Sequence, residues 1–402
     1  MLSKHTEPSP AGFVVLLAGL AMFGPFSIDT IFPMFPDMER ALGINAVQMQ
    51  QTISVYLLAY ALMALLHGPL SDALGRRVVI LGGVAVFVAA SVGCALSTSL
   101  WQLLLFRALQ GVSAGSGLIV GRAIIRDRFE GASAQRVMSR ITMVFGVAPA
   151  IAPIIGGLIG TRFGWEAIFW FLALFALTLL ACCWRWLPET HPRENRLPLD
   201  PLPLFGRYFE LLRNPAFVWL ALSGAFNFAA LFIYIASAPV FVLTHLRLGP
   251  TDFGYFFVPA IMGMMSGAWL SGRRAGRHAP ASTVKLAYRV MLVAGVVNVA
   301  YCALAPSVSW PWAVLPVLVA GAGISLAFPT LTLLLLDLYP HERGTASSLQ
   351  AFLQLMISSV VAGLLSPWLA PQPVTLALGS VGATVLGWGA WRAYAKRGVG
   401  AV

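Results

Sequence analysis

The chain has 402 residues, of which 58% are hydrophobic and only 10% are charged, and its formal net charge is +11. Soluble domains carry about 25% charged residues, so this composition excludes an ordinary water-soluble fold and predicts a protein of the lipid bilayer. The positive charge then indicates lysine and arginine retained on the cytoplasmic side of a membrane, and it does not indicate a nucleic-acid partner.

Long apolar segments predict twelve membrane spans, since about 20 apolar residues are needed to cross the hydrocarbon. The predicted spans are 12–36, 47–67, 78–97, 100–121, 137–160, 165–187, 215–244, 253–272, 284–305, 310–336, 346–369 and 374–394. A polar, proline-rich segment separates the first six from the second six. We therefore expect an all-α membrane protein with twelve transmembrane helices: an N-terminal six-helix bundle (1–187), a cytoplasmic linker (188–214) and a C-terminal six-helix bundle (215–402).

The distribution of Lys and Arg predicts the orientation of these spans. With both termini in the cytoplasm, 22 of the 26 Lys and Arg residues lie at the cytoplasmic side or the cytoplasmic ends of spans, three lie on the opposite side and only Arg107 lies deep within a span. This asymmetry follows the positive-inside rule. The first apolar segment is too long for a cleaved signal peptide, so we expect it to be retained as span 1.

Two charged residues lie deep inside predicted spans: Asp29 in span 1 and Arg107 in span 4. Such residues are costly in a membrane and usually mark a function. Both lie about 10 Å from the same membrane face at a rise of 1.5 Å per residue, so the spacing is compatible with an ion pair. A fixed ion pair that only braces two helices is the structural alternative.

The chemistry of a carboxyl group makes Asp29 a candidate proton carrier. Burial favours the neutral form of a carboxyl group, whereas a nearby guanidinium favours the charged form. A substrate or a change of access alters that balance, so the group can exchange a proton for a substrate. Arg107 does not titrate usefully, and its expected role is to tune Asp29 or to bind a polar substrate group.

A ten-residue segment, Gly68–Arg77, reads GPLSDALGRR and joins predicted spans 2 and 3. Its charges predict a tight turn at a membrane face. A partial copy, WLSGRRAGRH, occurs 201 positions later and places Arg273 where the first copy has Asp72. Two halves of about 200 residues are typical of transporters built from parallel repeats, although Gly and Arg are common in any cytoplasmic turn.

The sequence contains no nucleophile–base pair, phosphate-binding loop or metal-ligand cluster, so we expect neither an enzyme nor a resident cofactor or metal. Span 5 instead contains GVAPAIAPIIGG, where prolines and small residues predict a bent, closely packed helix. Aromatic side chains in span 7 suit varied apolar ligands, but lipid-facing or packed helices contain them equally often.

Taken together, these segments resemble the bicyclomycin/chloramphenicol-resistance type of drug:proton antiporter in the major facilitator superfamily. The resemblance rests on SIDTIFPMFP around Asp29, QTISVYLLAYAL in span 2, GPLSDALGRR, FRALQG around Arg107, APIIGG in span 5, GWEAIFW in span 6 and PHERGTASSL before span 11.

This resemblance implies proton-driven export of small amphipathic drugs by alternating access in the bacterial inner membrane. The implied partners are a drug, protons and membrane lipids, the proton gradient replaces a cofactor, and the chain is a monomer. The alternatives are export of a natural metabolite, such as an amino acid, peptide or sugar, and an importing symporter.

The resemblance also assigns roles to residues. Asp29 and Arg107 are implied in proton coupling, and Ala148 and Ala152 replace the usual glycines of the span 5 motif. The remaining candidates are the conformational motif (Gly68, Asp72, Gly75, Arg76 and Arg77), the antiporter motif (Pro149, Pro153, Gly156 and Gly157) and the substrate-cavity residues (Tyr56, Phe226, Asn227 and Tyr234).

Overall fold

The computed structural model describes residues 10–129, 131–196, 201–340 and 342–398, and within these ranges the chain is helical and contains no β-strand. The chain divides into two compact units, Met1–Asp200 (unit 1) and Pro201–Val402 (unit 2). The boundary between the units lies inside the predicted linker, 188–214.

The described residues of unit 1 form nine α-helices, several of which are segments of one span. They are α1 (Pro10–Ala21), α2 (Phe23–Asp29), α3 (Phe35–Leu42), α4 (Ala46–Leu74), α5 (Arg76–Ala95), α6 (Leu100–Gly115), α7 (Gly121–Arg128), α8 (Gly131–Phe163) and α9 (Glu166–Trp186). A π-helical turn, Ser116–Val120, joins α6 to α7.

In the part of unit 2 that the structure describes there are eight α-helices. They are α10 (Pro201–Arg213), α11 (Pro215–Ala236), α12 (Gly254–Arg274), α13 (Pro280–Leu304), α14 (Leu315–Asp337), α15 (Arg343–Val360), α16 (Ser366–Leu369) and α17 (Pro373–Gly398). Further π-helical turns, Val240–His245 and Val361–Leu365, follow α11 and α15.

Eleven segments of the described chain are helical, long enough and apolar enough to cross a membrane. They coincide with eleven of the twelve predicted spans. The remaining predicted span, 253–272, is also helical, as α12, but α12 is not among these eleven segments. Large apolar side chains face outward, for example Trp101 at 78% exposure, as expected where lipid is the solvent.

Span 1 is interrupted where the sequence predicts a continuous helix. The helix α2 ends at Asp29, a short 3₁₀ turn covers Phe32–Met34, and α3 then begins at Phe35. Pro33 occupies the first turn of the 3₁₀ segment, and Pro36 that of α3. Proline starts helices readily but cannot donate a backbone hydrogen bond within one, so this spacing divides the span near Asp29.

The predicted ten-residue turn at Gly68–Arg77 is wrong in extent. The helix α4 continues through Pro69 to Leu74, and α5 begins at Arg76, so the turn itself is Gly75 alone. Gly75 has φ +101° and ψ 148°, a backbone conformation that is essentially restricted to glycine. The charged residues before Gly75 therefore lie on the last turns of a helix.

The predicted linker contains a helix that the sequence analysis missed. The 13-residue helix α10 buries Tyr208 and Leu211 and exposes Phe205 and Phe209. Burial raises the pKa of Tyr208 to about 12, which reflects how closely α10 packs on unit 2. Its proline-rich start did not indicate a helix, although proline is tolerated in a first helical turn.

Candidate functional site

Asp29 is a buried carboxylic residue at the point where span 1 breaks. Its exposed fraction is 4%, and α2 ends at this residue. The next residue, Thr30, donates both its N–H (3.3 Å) and its hydroxyl (2.5 Å) to the carbonyl oxygen of Phe26, which satisfies the end of the helix locally. Among the described residues, no Lys, Arg or His forms an ion pair with Asp29.

Arg107, on α6, is fully buried and held by neutral groups. Its Nη1 donates to the carbonyl oxygen and the hydroxyl of Ser27, each at 2.9 Å, and to Oε1 of Gln110 at 2.7 Å. Its Nε donates to the carbonyl oxygen of Thr52 at 3.2 Å, and the ring of Tyr56 lies 4.5 Å from its guanidinium carbon. Its Nη2 is buried without a hydrogen-bond partner in the described chain.

A direct ion pair between Asp29 and Arg107 is absent, and helix geometry explains why. Ser27 lies on the face of α2 that contacts Arg107. Residues two apart in a helix point in nearly opposite directions, so Asp29 lies on a different face from Ser27. The spacing in sequence predicted a similar membrane depth for the two charges, but it does not determine on which side of its helix each charge lies.

Gln110 extends the polar cluster around Arg107 towards the neighbouring helix α5. Its Nε2 donates to the hydroxyl of Ser91 at 2.8 Å, and that hydroxyl donates to the carbonyl oxygen of Phe87 at 2.7 Å. All these groups are buried, so each hydrogen bond offsets the cost of removing a polar group from water. The cluster fixes the guanidinium in place and leaves Nη2 as its unused donor.

The antiporter motif lies on α8, beside the break in span 1. Pro149 and Pro153 lie within this helix, and Gly156 and Gly157 are buried. A Cβ atom at Gly156 would overlap the carbonyl oxygen of Thr30. The glycine therefore permits α8 to touch the backbone directly after Asp29, which connects two sets of residues that the sequence left separate.

Arg76 is the centre of the conformational motif and is largely buried. Its Nη1 lies 2.5 Å from Oδ1 of Asp72, and its Nε lies 3.2 Å from Oδ2 of Asp127. The hydroxyl of Thr190 also donates to Asp127, at 2.8 Å. Asp127 was not predicted, and the ion pairs join the turn at Gly75 to the end of α7.

Glu189, which follows α9, caps the start of α5. Its carboxylate accepts the backbone N–H groups of Arg76 at 2.9 Å and of Arg77 at 3.3 Å, and Nη2 of Arg196 lies 3.7 Å away. A carboxylate is favourable at a helix N-terminus because of the unpaired N–H groups there. The guanidinium of Arg77 donates to the carbonyl oxygen of Trp184 at 2.6 Å.

Sequence analysis missed Asp127 and Glu189, although one signal was available. Both are acids on a membrane face that the sequence predicts to be rich in Arg, and Glu189 immediately follows Pro188 after a span. Gly68, the remaining member of the motif, lies inside α4, where its carbonyl oxygen accepts the hydroxyl of Ser71 at 2.8 Å.

The four proposed substrate residues are divided between the two units. Tyr56 contacts Arg107 in unit 1, whereas Phe226, Asn227 and Tyr234 lie on α11 in unit 2. Asn227 is fully buried, and its Nδ2 donates to the carbonyl oxygen of Ile324 at 3.0 Å, while its Oδ1 has no hydrogen-bond partner in the described chain.

The two aromatic candidates of α11, Tyr234 and Phe226, differ in their burial and in their contacts. The hydroxyl of Tyr234 accepts Nδ2 of Asn298 at 2.6 Å, and its ring packs against that of Phe241. Phe226 is only partly buried. The geometry therefore favours Asn227 among the candidates of unit 2, because it retains an unused polar atom.

The model of the Major Facilitator Superfamily matches residues 14–363. The chain belongs to this superfamily. It is thus a membrane transporter, and the prediction that it is not an enzyme is confirmed by its family. The all-helical fold agrees with this membership.

Similar proteins narrow the position of the chain within the superfamily. The chain is 28% identical over 355 residues to a bicyclomycin resistance protein homolog of Haemophilus influenzae, covering 88% of each chain. It is 30% identical over 343 residues to a chloramphenicol resistance protein of Pseudomonas aeruginosa, covering 85% of this chain and 80% of the relative. The resemblance inferred from the sequence motifs is confirmed.

The solved structures support the fold alone. A bacterial homolog of the human lysosomal transporter Spinster, crystallised in an inward-facing and unoccupied conformation, matches with a TM-score of 0.74 at 18% identity. The match covers 96% of this chain and 97% of that one.

Proposed function

We propose that this transporter exports small amphipathic drugs, antibiotics among them, in exchange for protons. The observation that carries the proposal is a buried carboxylic residue, Asp29, at a helix break and without an ion-pair partner in the described chain. A carboxyl group in that position can bind and release a proton without first breaking a salt bridge. The names of the bicyclomycin- and chloramphenicol-resistance relatives support drugs as the substrate class.

In this mechanism Asp29 carries the proton and Arg107 provides a fixed positive charge. The neutral contacts of Arg107 hold its guanidinium in place, and Nη2 remains available to a polar group that enters the site. A substrate with both apolar surface and hydrogen-bonding groups suits the unused donor of Arg107 and the Tyr56 ring beside it. Within unit 2, Asn227 is a separate candidate contact because its Oδ1 is an unused acceptor.

The proposed topology has twelve spans, six in each unit, with α12 as the second span of unit 2. Both termini are cytoplasmic, the membrane is the bacterial inner membrane, and the transporter acts as a monomer by alternating access. The uneven distribution of Lys and Arg supports this orientation. The energy comes from the proton gradient and requires no cofactor.

The proposal is tested with purified transporter in sealed vesicles that contain a pH-sensitive dye, using chloramphenicol as the probe. Addition of the drug to the wild type is expected to move protons across the membrane. Asp29→Asn keeps the shape of the side chain but cannot carry the proton, so drug-driven proton movement should fall at least about tenfold, to the background.

Asp37→Asn is the matched control, because Asp37 is a partly exposed acid eight residues further along and pairs with Arg40. It should retain proton movement within about twofold. Persistence of full coupling in Asp29→Asn removes Asp29 from the mechanism. Net drug uptake together with protons would instead identify an importing symporter, and failure to move any antibiotic would favour a natural metabolite.

A further inference from the structure

The connection between α12 and α13 is basic and lacks acidic residues. Between Asp252 and Asp337 the chain contains no Asp or Glu, but it contains Arg273, Arg274, Arg277, Lys285 and Arg289. All five are exposed or partly exposed. This connection contains the partial copy of Gly68–Arg77, and the proposed transport mechanism does not use it.

The contacts of these cations leave their charge uncompensated. The guanidinium carbon of Arg273 lies 4.0 Å from the centre of the Trp269 ring. Arg274 donates only to hydroxyl groups, those of Thr283 and Ser282, each at 3.2 Å. None of the five cations forms an ion pair with a described acidic residue.

The outward face of α12 is an apolar stripe that ends in a cation. Met262, Met265 and Trp269 are 59%, 51% and 58% exposed. They are spaced three and four residues apart, so they lie on one face of the helix, and Arg273 continues that face one turn later. In a membrane protein such a stripe contacts acyl chains.

The outward face of α13 also combines cations with an apolar stripe, but here the cations come first along the chain. Lys285 and Arg289 are exposed near the start of the helix, and Val293 and Val297, which continue the spacing of four, are 65% and 53% exposed. Both helices pack against α14. Their cations therefore lie at the ends of two lipid-facing stripes, close to the short connection between them.

This arrangement has the chemistry of a phospholipid site. Long basic side chains at the end of a lipid-facing helix extend towards the headgroups, and tryptophan favours the same interfacial depth. A phosphate in the headgroup can neutralise the cations, while the acyl chains cover the methionines and valines. A zwitterionic headgroup neutralises them less, because it also carries a positive charge.

We propose that the exposed faces of α12 and α13 bind anionic phospholipid, whose headgroups are neutralised by Arg273, Arg277, Lys285 and Arg289. The acyl chains lie along the stripes that contain Trp269 and Val293. The site is on the face that the positive-inside rule predicts to be cytoplasmic, where basic residues attract anionic lipid. It is independent of the substrate and of the proton pathway.

The experiment uses the full-length transporter in detergent, titrated with phosphatidylglycerol or phosphatidylcholine. Native mass spectrometry counts the bound lipid, and the thermal unfolding midpoint reports the stabilisation. The wild type should prefer phosphatidylglycerol. Each basic residue near a membrane surface is expected to change the affinity about fivefold, so Arg273→Gln/Lys285→Gln should weaken phosphatidylglycerol binding about 25-fold and leave phosphatidylcholine binding unchanged.

The matched control is Arg392→Gln/Lys396→Gln, which removes two exposed charges from α17 of the same unit and should bind phosphatidylglycerol like the wild type. Equal weakening in both variants, or equal binding of the two lipids by the wild type, overturns the proposal. A third arm uses inorganic phosphate, and full stabilisation by phosphate alone would also overturn it. If the first variant does not fold, Arg277→Gln/Arg289→Gln replaces it, with the same expected weakening.

Discussion

The two units differ in the charges that they bury. Unit 1 buries Asp29, His67, Arg76 and Arg107, whereas no Asp, Glu, Lys, Arg or His is buried among the described residues of unit 2. The polar interior of unit 2 is neutral: for example, Asn298 donates to Tyr234 at 2.6 Å. Groups that can change charge inside the membrane are therefore a property of unit 1.

The two equivalent connections differ in the same way. In unit 1, Arg76 pairs with Asp72 and Asp127, and Glu189 caps the following helix. In unit 2, Arg273 stacks on Trp269 and has no acidic partner in the described chain. The two connections are therefore both short turns between helices, but only the one in unit 1 is held by ion pairs.

Close helix packing is common to both units, and it gives the largest expected effect. A Cβ atom at Gly156 would overlap the carbonyl oxygen of Thr30, and one at Gly267 would overlap that of Ala322. Because backbone cannot yield easily, Gly156→Ala and Gly267→Ala should each cost about 3 kcal/mol of unfolding free energy. Chemical unfolding in detergent measures this loss.

The difference between the units should appear in transport. At a temperature where both variants remain folded, only Gly156→Ala should reduce drug-driven proton movement in vesicles, because it displaces the backbone beside Asp29. Equal coupling in the two variants would show that contact between α8 and the break in span 1 does not affect proton transfer.

The turns at Gly75 and Gly276 give the next effect. Both have positive φ, +101° and +72°, but a Cβ atom at Gly75 would also lie 2.5 Å from side-chain atoms of Glu189 and Arg196, whereas one at Gly276 meets nothing within 4 Å. Gly75→Ala should cost about 2 kcal/mol and Gly276→Ala about 1 kcal/mol. Unfolding midpoints that fall equally would indicate that the surrounding charges add no constraint at Gly75.

Replacing two arginines that contact aromatic rings by lysine tests whether the shape of the guanidinium matters in addition to its charge. Arg107→Lys keeps a cation but loses the planar group that reaches Ser27, Gln110 and Thr52, so drug transport should fall about tenfold. Arg273→Lys, on the exposed face of unit 2, should leave transport within about twofold. Efflux from vesicles measures both, and normal transport by Arg107→Lys would reduce its role to charge alone.

The smallest expected effect concerns Glu189. Glu189→Gln loses the negative charge at the start of α5 and should cost about 1 kcal/mol. Glu210→Gln, on α10, is the control because Glu210 is 66% exposed and its ion pair with Arg207 contributes little. Thermal unfolding distinguishes them, and indistinguishable midpoints would mean that the cap is not stabilising.

The positions of the helices were largely predictable from the sequence. Hydropathy located the spans because the bilayer requires long apolar segments, and the residues around Gly68–Arg77 and Asp29 identified the family. The predicted turn at Gly68–Arg77 was too long for a local reason. Gly75 alone reverses the chain, and Pro69 lies within α4.

Contacts between distant segments were not predictable in the same way. Glu189 reaches the start of α5 from 113 residues away in sequence, and no periodic pattern encodes that distance. The lack of a direct ion pair between Asp29 and Arg107 has a similar origin, because depth in a membrane follows from residue counting but angular position requires the packed helices. The contact of Gly156 with Thr30 also depends on packing.

At the break in span 1, the path of the backbone does not depend on the carboxyl group of Asp29. Pro33 and Pro36 start the segments that follow the break, and Thr30 closes α2 through Phe26. None of these interactions uses the carboxylate of Asp29. The path of the chain is therefore specified by its neighbours, so residue 29 can be exchanged for amides, alcohols or longer acids to survey proton chemistry on an unaltered backbone.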